Sequence, residues 1–200
     1  MNDTTIDLRI AELLSARLCH ELVSPIGAIN NGVELLEDDP DFAADAAGLI
    51  GQSAVQASRR LQFYRVAYGS TAPLGAEIGR KAAQDLFADG KITCDWPESL
   101  APEVGVKLVC NLLLVAAEAL PRGGRLVLAA GAPILIRAEG EGARLPPHLP
   151  AALGWPLVPD RVDARSVQAA FTAALAHRAG LAVTIETVAG GIVFRLASPG

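Results

Sequence analysis

The chain has 200 residues, a net charge of −5 and a composition that is 51% hydrophobic but only 20% charged. This balance favours a folded protein with a buried core, and the absence of a basic stripe argues against a nucleic-acid partner. No segment approaches the roughly 18 consecutive apolar residues of a membrane span, and the N-terminus MNDTTIDLRI lacks the pattern of a secretory signal. Three cysteines without metal-ligand spacing indicate a reducing compartment, so we expect a cytoplasmic protein without a membrane partner.

The first predicted element is one long helix from Ile6 to about Glu37. Its apolar residues recur at steps of three and four, which places them on one stripe of a helix. Such a helix would be roughly 45 Å long at the standard rise per residue, more than a compact domain usually requires. The stripe consists of Leu14, Leu18, Leu22, Ile26, Ile29, Val33 and Leu36.

A second helix is predicted from Asp41 to Tyr68, after a polar break that includes Pro40 and before Gly69 and Pro73, which end it. Two long helices joined by a short turn form a hairpin, and a single hairpin cannot bury both of its faces. Pairing two hairpins into a four-helix bundle is the simplest remedy. The sequence therefore predicts a homodimer.

The hydrophobic periodicity changes after Pro73, which predicts a boundary between a helical-hairpin domain over 1–72 and a second domain over 73–200. The pattern of the second domain is helix, strand, helix, two strands, helix, two strands. This order is typical of an α/β sandwich with helices on one face of a mixed sheet. The predicted fold class is thus α plus α/β. The expected helices cover 74–88, 102–120 and 163–178, the expected strands cover 92–96, 125–130, 133–137, 182–188 and 192–197, and a Gly- and Pro-rich loop covers 139–159.

His20 is the candidate functional residue of the first helix. It is about 200° around the helix from Leu18 and Leu22, so it points away from the apolar stripe. Its own face carries small or polar residues, which leave room for another protein to approach. Neutral imidazole is a nucleophile near pH 7, and a neighbouring carboxylate such as that of Glu21 can orient it. The residues of this face are Ala16, His20, Ser24, Gly27 and Asn31.

Two helix-disfavouring residues follow His20. Pro25 removes one backbone donor and leaves the Glu21 carbonyl oxygen without its helical partner, which should bend the helix. Gly27 costs about 1 kcal/mol relative to Ala inside a helix, so close approach of a partner is the better explanation for it. We expect the small residues Ala16, Ser24 and Gly27 to leave room for a partner protein beside His20, on the side of the helix that we call the partner-binding flank. Arg17, Val23 and Asn31 border it.

The segment His20-Glu21-Leu22-Val23-Ser24-Pro25-Ile26 resembles the H-box of dimeric histidine kinases. A hairpin that bears this box and precedes an α/β sandwich resembles the whole kinase core, in which a dimerisation domain is followed by an ATP-binding domain. The resemblance therefore implies that His20 accepts a phosphoryl group and that the second domain has the ATP-binding fold.

The second domain departs from the kinase pattern at the positions that bind ATP. The segment from Asn111 to Glu118 resembles the kinase N-box, but Val115 stands where a second Asn holds Mg²⁺, and an aliphatic side chain cannot ligate this cation. Ala138 stands where an Asp binds adenine, and the lid with its phosphate loop has no counterpart before Val167. We expect a degenerate domain that binds no ATP and no other cofactor.

This combination resembles the ChpT-type histidine phosphotransferases. The resemblance implies relay of phosphoryl groups between the receiver domain of a hybrid histidine kinase and response regulators, in alphaproteobacterial cell-cycle control. His20 would be the phosphoacceptor and Glu21 the carboxylate that orients it. Mg²⁺ would be supplied by the receiver, because this chain offers no carboxylate cluster for it.

Three alternatives remain open from the sequence. An active histidine kinase would need the missing ATP residues. A response-regulator phosphatase would use His20 or Ser24 to position water, although kinases with this activity carry Asn or Thr four residues after the histidine. A docking protein that sequesters receivers would need no chemistry at all.

Overall fold

The computed structural model describes residues 8–38, 40–69, 74–99, 105–129, 131 and 133–199. Six α-helices and five β-strands occur in these residues, together with two 3₁₀ turns at Pro40–Phe42 and Pro159–Arg161. The helices are α1 (Leu8–Asp38), α2 (Ala43–Tyr68), α3 (Ala76–Phe87), α4 (Val106–Ala117), α5 (Leu149–Ala152) and α6 (Val167–Arg178), and the strands are β1 (Ile92–Asp95), β2 (Gly124–Ala129), β3 (Ile134–Glu139), β4 (Ala182–Val188) and β5 (Gly191–Ala197).

The hairpin of α1 and α2 confirms the two long helices that the sequence predicts. The two helices pack against each other, and at Gly32 the packing is so close that an added Cβ would be 2.6 Å from Cγ1 of Ile50. α1 continues as helix through Pro25. α2 ends at Tyr68 and is followed by Gly69, as expected. The predicted start at Ile6 lies outside the described residues.

The sheet has the strand order β1-β2-β3-β5-β4. β1 and β2 are parallel and the other neighbouring strands are antiparallel, so the sheet is mixed as predicted. Ile136 on β3 and Phe194 on β5 face each other in register and are fully buried beneath the helices, whereas Arg137 is exposed. Together with the helical N-terminal region, this sheet confirms an α plus β architecture.

Two predicted segments differ from the structure in detail. The predicted start of α4 near residue 102 lies outside the described residues, and the loop predicted over 139–159 contains the short helix α5. The helix predicted from Asp163 begins as regular α-helix at Val167, but Asp163 caps it. The Asp163 carboxylate accepts the Ser166 N–H at 2.8 Å, and the Ser166 hydroxyl accepts the Asp163 N–H at 2.9 Å. This reciprocal pair is the arrangement of a capping box.

The end of α2 belongs to the same core as the sheet. Phe63, Val66 and Ala67 of α2 are buried in one cluster with side chains of α4 and the strands. Asn111 Nδ2 on α4 donates to the Ala67 carbonyl oxygen at 2.6 Å, and Lys107 Nζ donates to the Gly69 carbonyl oxygen at 2.9 Å. The second domain therefore packs against the last turn of α2 and hydrogen-bonds to it. The predicted boundary at 72/73 falls outside the described residues and stays a prediction.

Candidate phosphoacceptor site

His20 lies near the middle of α1, and its side chain is exposed. In the part of the chain that the structure describes, no side chain hydrogen-bonds to its imidazole. Both ring nitrogens are thus open to an incoming group. The α1 backbone is helical on both sides of it, so the imidazole projects from a continuous helix.

The predicted partner-binding residues lie on one flank of α1 around His20. Ala16, Ser24 and Asn31 are exposed, and Val23 is 67% exposed. Nothing lies within 4 Å of a Cβ built on Gly27, so this glycine faces open space. The flank is free of obstruction by the rest of the protomer, while its role in binding a partner stays a prediction.

The Glu21 carboxylate is bound to α2 and not to the imidazole of His20. Its Oε2 atom accepts a hydrogen bond from Arg60 Nη1 at 2.5 Å. The same nitrogen donates to the Glu21 carbonyl oxygen at 3.2 Å, which is the oxygen that Pro25 leaves without a helical donor. The orienting role of Glu21 toward His20 therefore stays a prediction, because its carboxylate is occupied by Arg60 in this structure.

Arg17 connects the first helix to the second domain. Its Nη2 atom lies 3.4 Å from Glu118 Oε1, and Nε2 of His148 lies 3.0 Å from the other oxygen of the same carboxylate. The Arg17 side chain consequently points toward the second domain. It lies at the edge of the partner-binding flank.

A cleft of about 330 Å³ lies between the hairpin and the second domain, and it is lined by Glu21, the residue that follows His20. Arg17, Glu21, Arg60 and Glu118 give it two positive and two negative groups. Tyr64 also lines it, and burial raises the pKa of Tyr64 to about 12, with a further rise from the charge of Glu21 that Arg60 opposes. The tyrosine is therefore a neutral hydrogen-bonding group near pH 7.

Comparison with known proteins decides the family. A family model described as the histidine phosphotransferase C-terminal domain matches residues 77–190. Protein phosphotransferase ChpT of Brucella abortus (strain 2308) is 37% identical over an alignment of 198 positions, which covers 94% of this chain and 94% of that protein. The chain belongs to the histidine phosphotransferase family. A solved structure of a bacterial phosphotransferase superposes on this histidine phosphotransferase with a TM-score of 0.80 and 35% identity, over 96% of this chain and 98% of the other.

This membership confirms the resemblance found in the sequence and the phosphotransferase activity that it implies. The matched segment lies within the second domain and so covers the region that resembles the kinase ATP-binding domain. Relay partners are thereby expected in general terms, whereas the particular receivers are not identified by these matches.

The histidine phosphotransferase has apolar, buried residues at two positions where the kinase pattern has ligands for nucleotide. Val115 on α4 and Ala138 on β3 are both completely buried in the core. Among the described residues, no three His, Cys, Asp or Glu side chains are grouped so that they could hold a metal ion. None of the described helices combines the length and apolar character needed to cross a bilayer.

Sequence reasoning missed Arg60 and Glu118, which hold Glu21 and Arg17. Neither is close in sequence to the residue that it binds. One signal was available for Arg60. In an antiparallel hairpin, residues at equal distances before and after the turn lie opposite each other. Because the hairpin turns near Pro40, Glu21 lies opposite Arg60. No comparable pattern connects Arg17 with Glu118, because their contact depends on how the second domain docks onto the hairpin.

Proposed function

We propose that His20 carries the phosphoryl group and passes it between the aspartates of receiver domains, from a hybrid histidine kinase to response regulators in the cytoplasm. The observation that carries the proposal is the exposed, unbonded imidazole of His20 on a flank of small and polar residues. A receiver must bring its aspartyl phosphate to about 3 Å from the attacking nitrogen, which only an unobstructed helix face permits.

The transfer step needs one nucleophile and one leaving group. A ring nitrogen of neutral His20 uses its lone pair to form a P–N bond, and the P–O bond to the receiver aspartate breaks with its electron pair leaving on that carboxylate. The positive charge gained by the imidazole is relieved when the proton leaves the other ring nitrogen. The reverse step, onto the aspartate of a second receiver, completes the relay. Mg²⁺ for both steps would reside on the receiver.

A homodimer through the hairpins is part of this proposal. Ile26, Val33 and Leu36 of the predicted apolar stripe are 49%, 41% and 38% exposed in the single protomer. Leu49 and Leu61 on α2 are likewise exposed, at 38% and 53%. A second hairpin would bury these side chains and would leave His20 on the outside of the bundle.

The proposed source of the phosphoryl group is a receiver and not ATP. Burial of Val115 and Ala138 supports this, because an aliphatic side chain within the core offers neither an oxygen ligand for Mg²⁺ nor an acceptor for the adenine amino group.

The test is transfer from a receiver domain that has been phosphorylated with radiolabelled acetyl phosphate and freed of the small donor. We expect acid-labile label on the wild-type chain and none on His20→Ala. His177→Ala is the control, since it removes another helical imidazole, one that is half-buried and stacked on Trp155, and should retain the label. Label that persists in His20→Ala would reject His20 as the acceptor.

The same assay addresses the two other activities considered for this site. A phosphatase would release free phosphate without label on the protein, and Ser24, which is exposed one turn after His20, would be the residue to substitute next. A docking protein would leave the label on the receiver while slowing its spontaneous loss.

A further inference from the structure

We propose that Arg60 is a positioning residue for phosphotransfer, because it replaces the backbone hydrogen bond that Pro25 removes beside His20. This inference rests on the proposed function of His20 and adds to it a residue of the second helix. Arg60 acts through the α1 backbone and through Glu21, and it needs no contact with the phosphoryl group.

The backbone defect lies next to the histidine. In a regular helix the N–H of residue 25 would donate to the carbonyl oxygen of residue 21, and proline has no N–H. α1 nevertheless runs unbroken from Leu8 to Asp38, and Pro25 is buried within it. Arg60 Nη1 supplies the missing donor to the Glu21 carbonyl oxygen at 3.2 Å. The helical turn that follows His20 is thus completed from the neighbouring helix.

The same guanidinium also fixes the Glu21 side chain. Nη1 of Arg60 lies 2.5 Å from Glu21 Oε2, so one nitrogen binds both the main chain and the side chain of a single residue. The two side chains are about equally shielded, with 33% and 34% exposed. Partial burial strengthens such a charge-assisted pair, and the planar guanidinium holds its partners at fixed angles.

Tyr64 lies beside Arg60 and Glu21 in the cleft, one turn further along α2. Burial raises the pKa of Tyr64 to about 12, so its hydroxyl stays protonated near pH 7. Arg60 thus binds α1 next to a neutral, partly buried tyrosine. The consequence for chemistry is a fixed position for the backbone that carries His20 and for the carboxylate next to it, and small displacements of a reacting group reduce rates steeply.

The experiment combines Arg60→Gln with Pro25→Ala in the full chain. Arg60→Gln should lower the first-order rate constant of phosphoryl uptake at saturating receiver by about tenfold to a hundredfold, with the half-saturating receiver concentration within about twofold of wild type. In the Pro25→Ala background, where residue 25 again has an N–H, the loss caused by Arg60→Gln should be at least about threefold smaller. Arg59→Gln is the matched control, since Arg59 pairs with Asp89 and not with α1.

Three results would overturn the inference. One is a wild-type rate constant in Arg60→Gln, which would mean that the contact only stabilises the fold. Another is an equal loss with proline or alanine at residue 25, and the third is a loss confined to the half-saturating concentration, as expected for direct receiver contact. If Arg60→Gln does not fold, Arg60→Lys is judged by the same three criteria.

Failure of the proposed function is distinguishable from failure of this inference. If His20→Ala still takes up label, the acceptor assignment is wrong whatever Arg60 does. If His20→Ala is inactive and the Arg60 variants transfer at wild-type rates, the acceptor stands and Arg60 has no positioning role.

Discussion

Gly32 on α1 meets Ile50 on α2 so closely that an added Cβ would lie 2.6 Å from Cγ1 of the isoleucine. The Ala46 carbonyl oxygen would be 3.3 Å away. Gly27 on the same helix has nothing within 4 Å of its Cβ position. The close packing of the hairpin thus requires the glycine at residue 32, and leaves the one at residue 27 without an explanation within the protomer.

We predict that Gly27→Leu retains the fold and gains stability, by up to about 1 kcal/mol, while receiver binding and transfer are sharply weakened. Leucine adds no clash with the protomer there, but it projects into the space that a receiver would occupy beside His20. Melting temperature and receiver affinity should be measured on the same preparation. Gly32→Leu is the control and should lose stability through the clash with Ile50. An unfolded or aggregated Gly27→Leu would count against the docking flank.

Nucleotide binding gives a second prediction. Calorimetric titration with ATP and Mg²⁺ should give no measurable heat of binding, and incubation with labelled ATP should leave His20 unmodified, because Val115 and Ala138 are buried core residues. An active histidine-kinase core serves as the positive control. A dissociation constant in the micromolar range would contradict the degenerate-domain interpretation.

Dimerisation through the hairpin can be tested at Leu36. A charge at this position would have to be buried without a partner in the four-helix bundle, so Leu36→Asp should dissociate or unfold the dimer. Leu36→Met conserves volume and apolar character and should keep it. Light scattering should give twice the chain mass for the wild type and for Leu36→Met. A monomeric wild type at micromolar concentration would exclude the bundle.

Asn111 provides a prediction about stability. Its amide donates to the Ala67 and Lys107 carbonyl oxygens at 2.6 and 2.8 Å and accepts from Gln168 at 2.9 Å. Asn111→Leu would leave buried polar groups without partners and should lower the free energy of unfolding by about 2–4 kcal/mol. Denaturant titration measures this, with Thr172→Val as a control that loses one local hydrogen bond and should cost about 1 kcal/mol. A loss no larger than that of the control would show that the network contributes little.

The cap of α6 should make stability depend on pH at the acid end. Hydrogen bonds from the Ser166 side chain, and then from its backbone N–H, lower the pKa of Asp163 below its ordinary value of 3.8. The folded state thus favours the charged carboxylate. Its contribution is present above the unfolded pKa and is lost as the pH falls through the lower folded pKa.

Asp163→Ala should therefore be less stable than wild type near neutrality, and the difference should shrink as the pH falls below the ordinary pKa. Denaturant titrations at a series of pH values measure the difference in the free energy of unfolding. Asp160→Ala removes an exposed carboxylate nearby and should show little change. A difference between Asp163→Ala and wild type that is independent of pH would mean that the charge of Asp163 plays no part in the cap.

The long helices and the position of His20 were predictable because both depend on local periodicity. The stripe from Leu14 to Leu36 defines a single helix, and it fixes the direction of His20 relative to that stripe without any tertiary information. The strands of the second domain were recognisable for the same reason. Their order was not, because the placement of β5 between β3 and β4 depends on pairing between segments distant in sequence.

The surroundings of His20 were only partly predictable. Glu21 is adjacent to the histidine in sequence, which suggested that its carboxylate orients the imidazole, but adjacent helical residues point about 100° apart. In the structure the Glu21 side chain points toward α2, where its carboxylate accepts a hydrogen bond from Arg60. A contact of this kind depends on the register of two packed helices, so it cannot be predicted from the spacing of residues within one helix.

The last turn of α2 ends in three successive carbonyl groups, those of Ala67, Tyr68 and Gly69, and all three accept hydrogen bonds from α4 side chains. An excised hairpin would expose these oxygens to water and would lose the buried contacts of Phe63 and Val66. A minimal phosphotransfer module engineered from this chain would consequently need new hydrogen-bond donors, or a capping motif, at the carboxyl end of α2. The second domain thus completes the hydrogen bonding at the carboxyl end of α2.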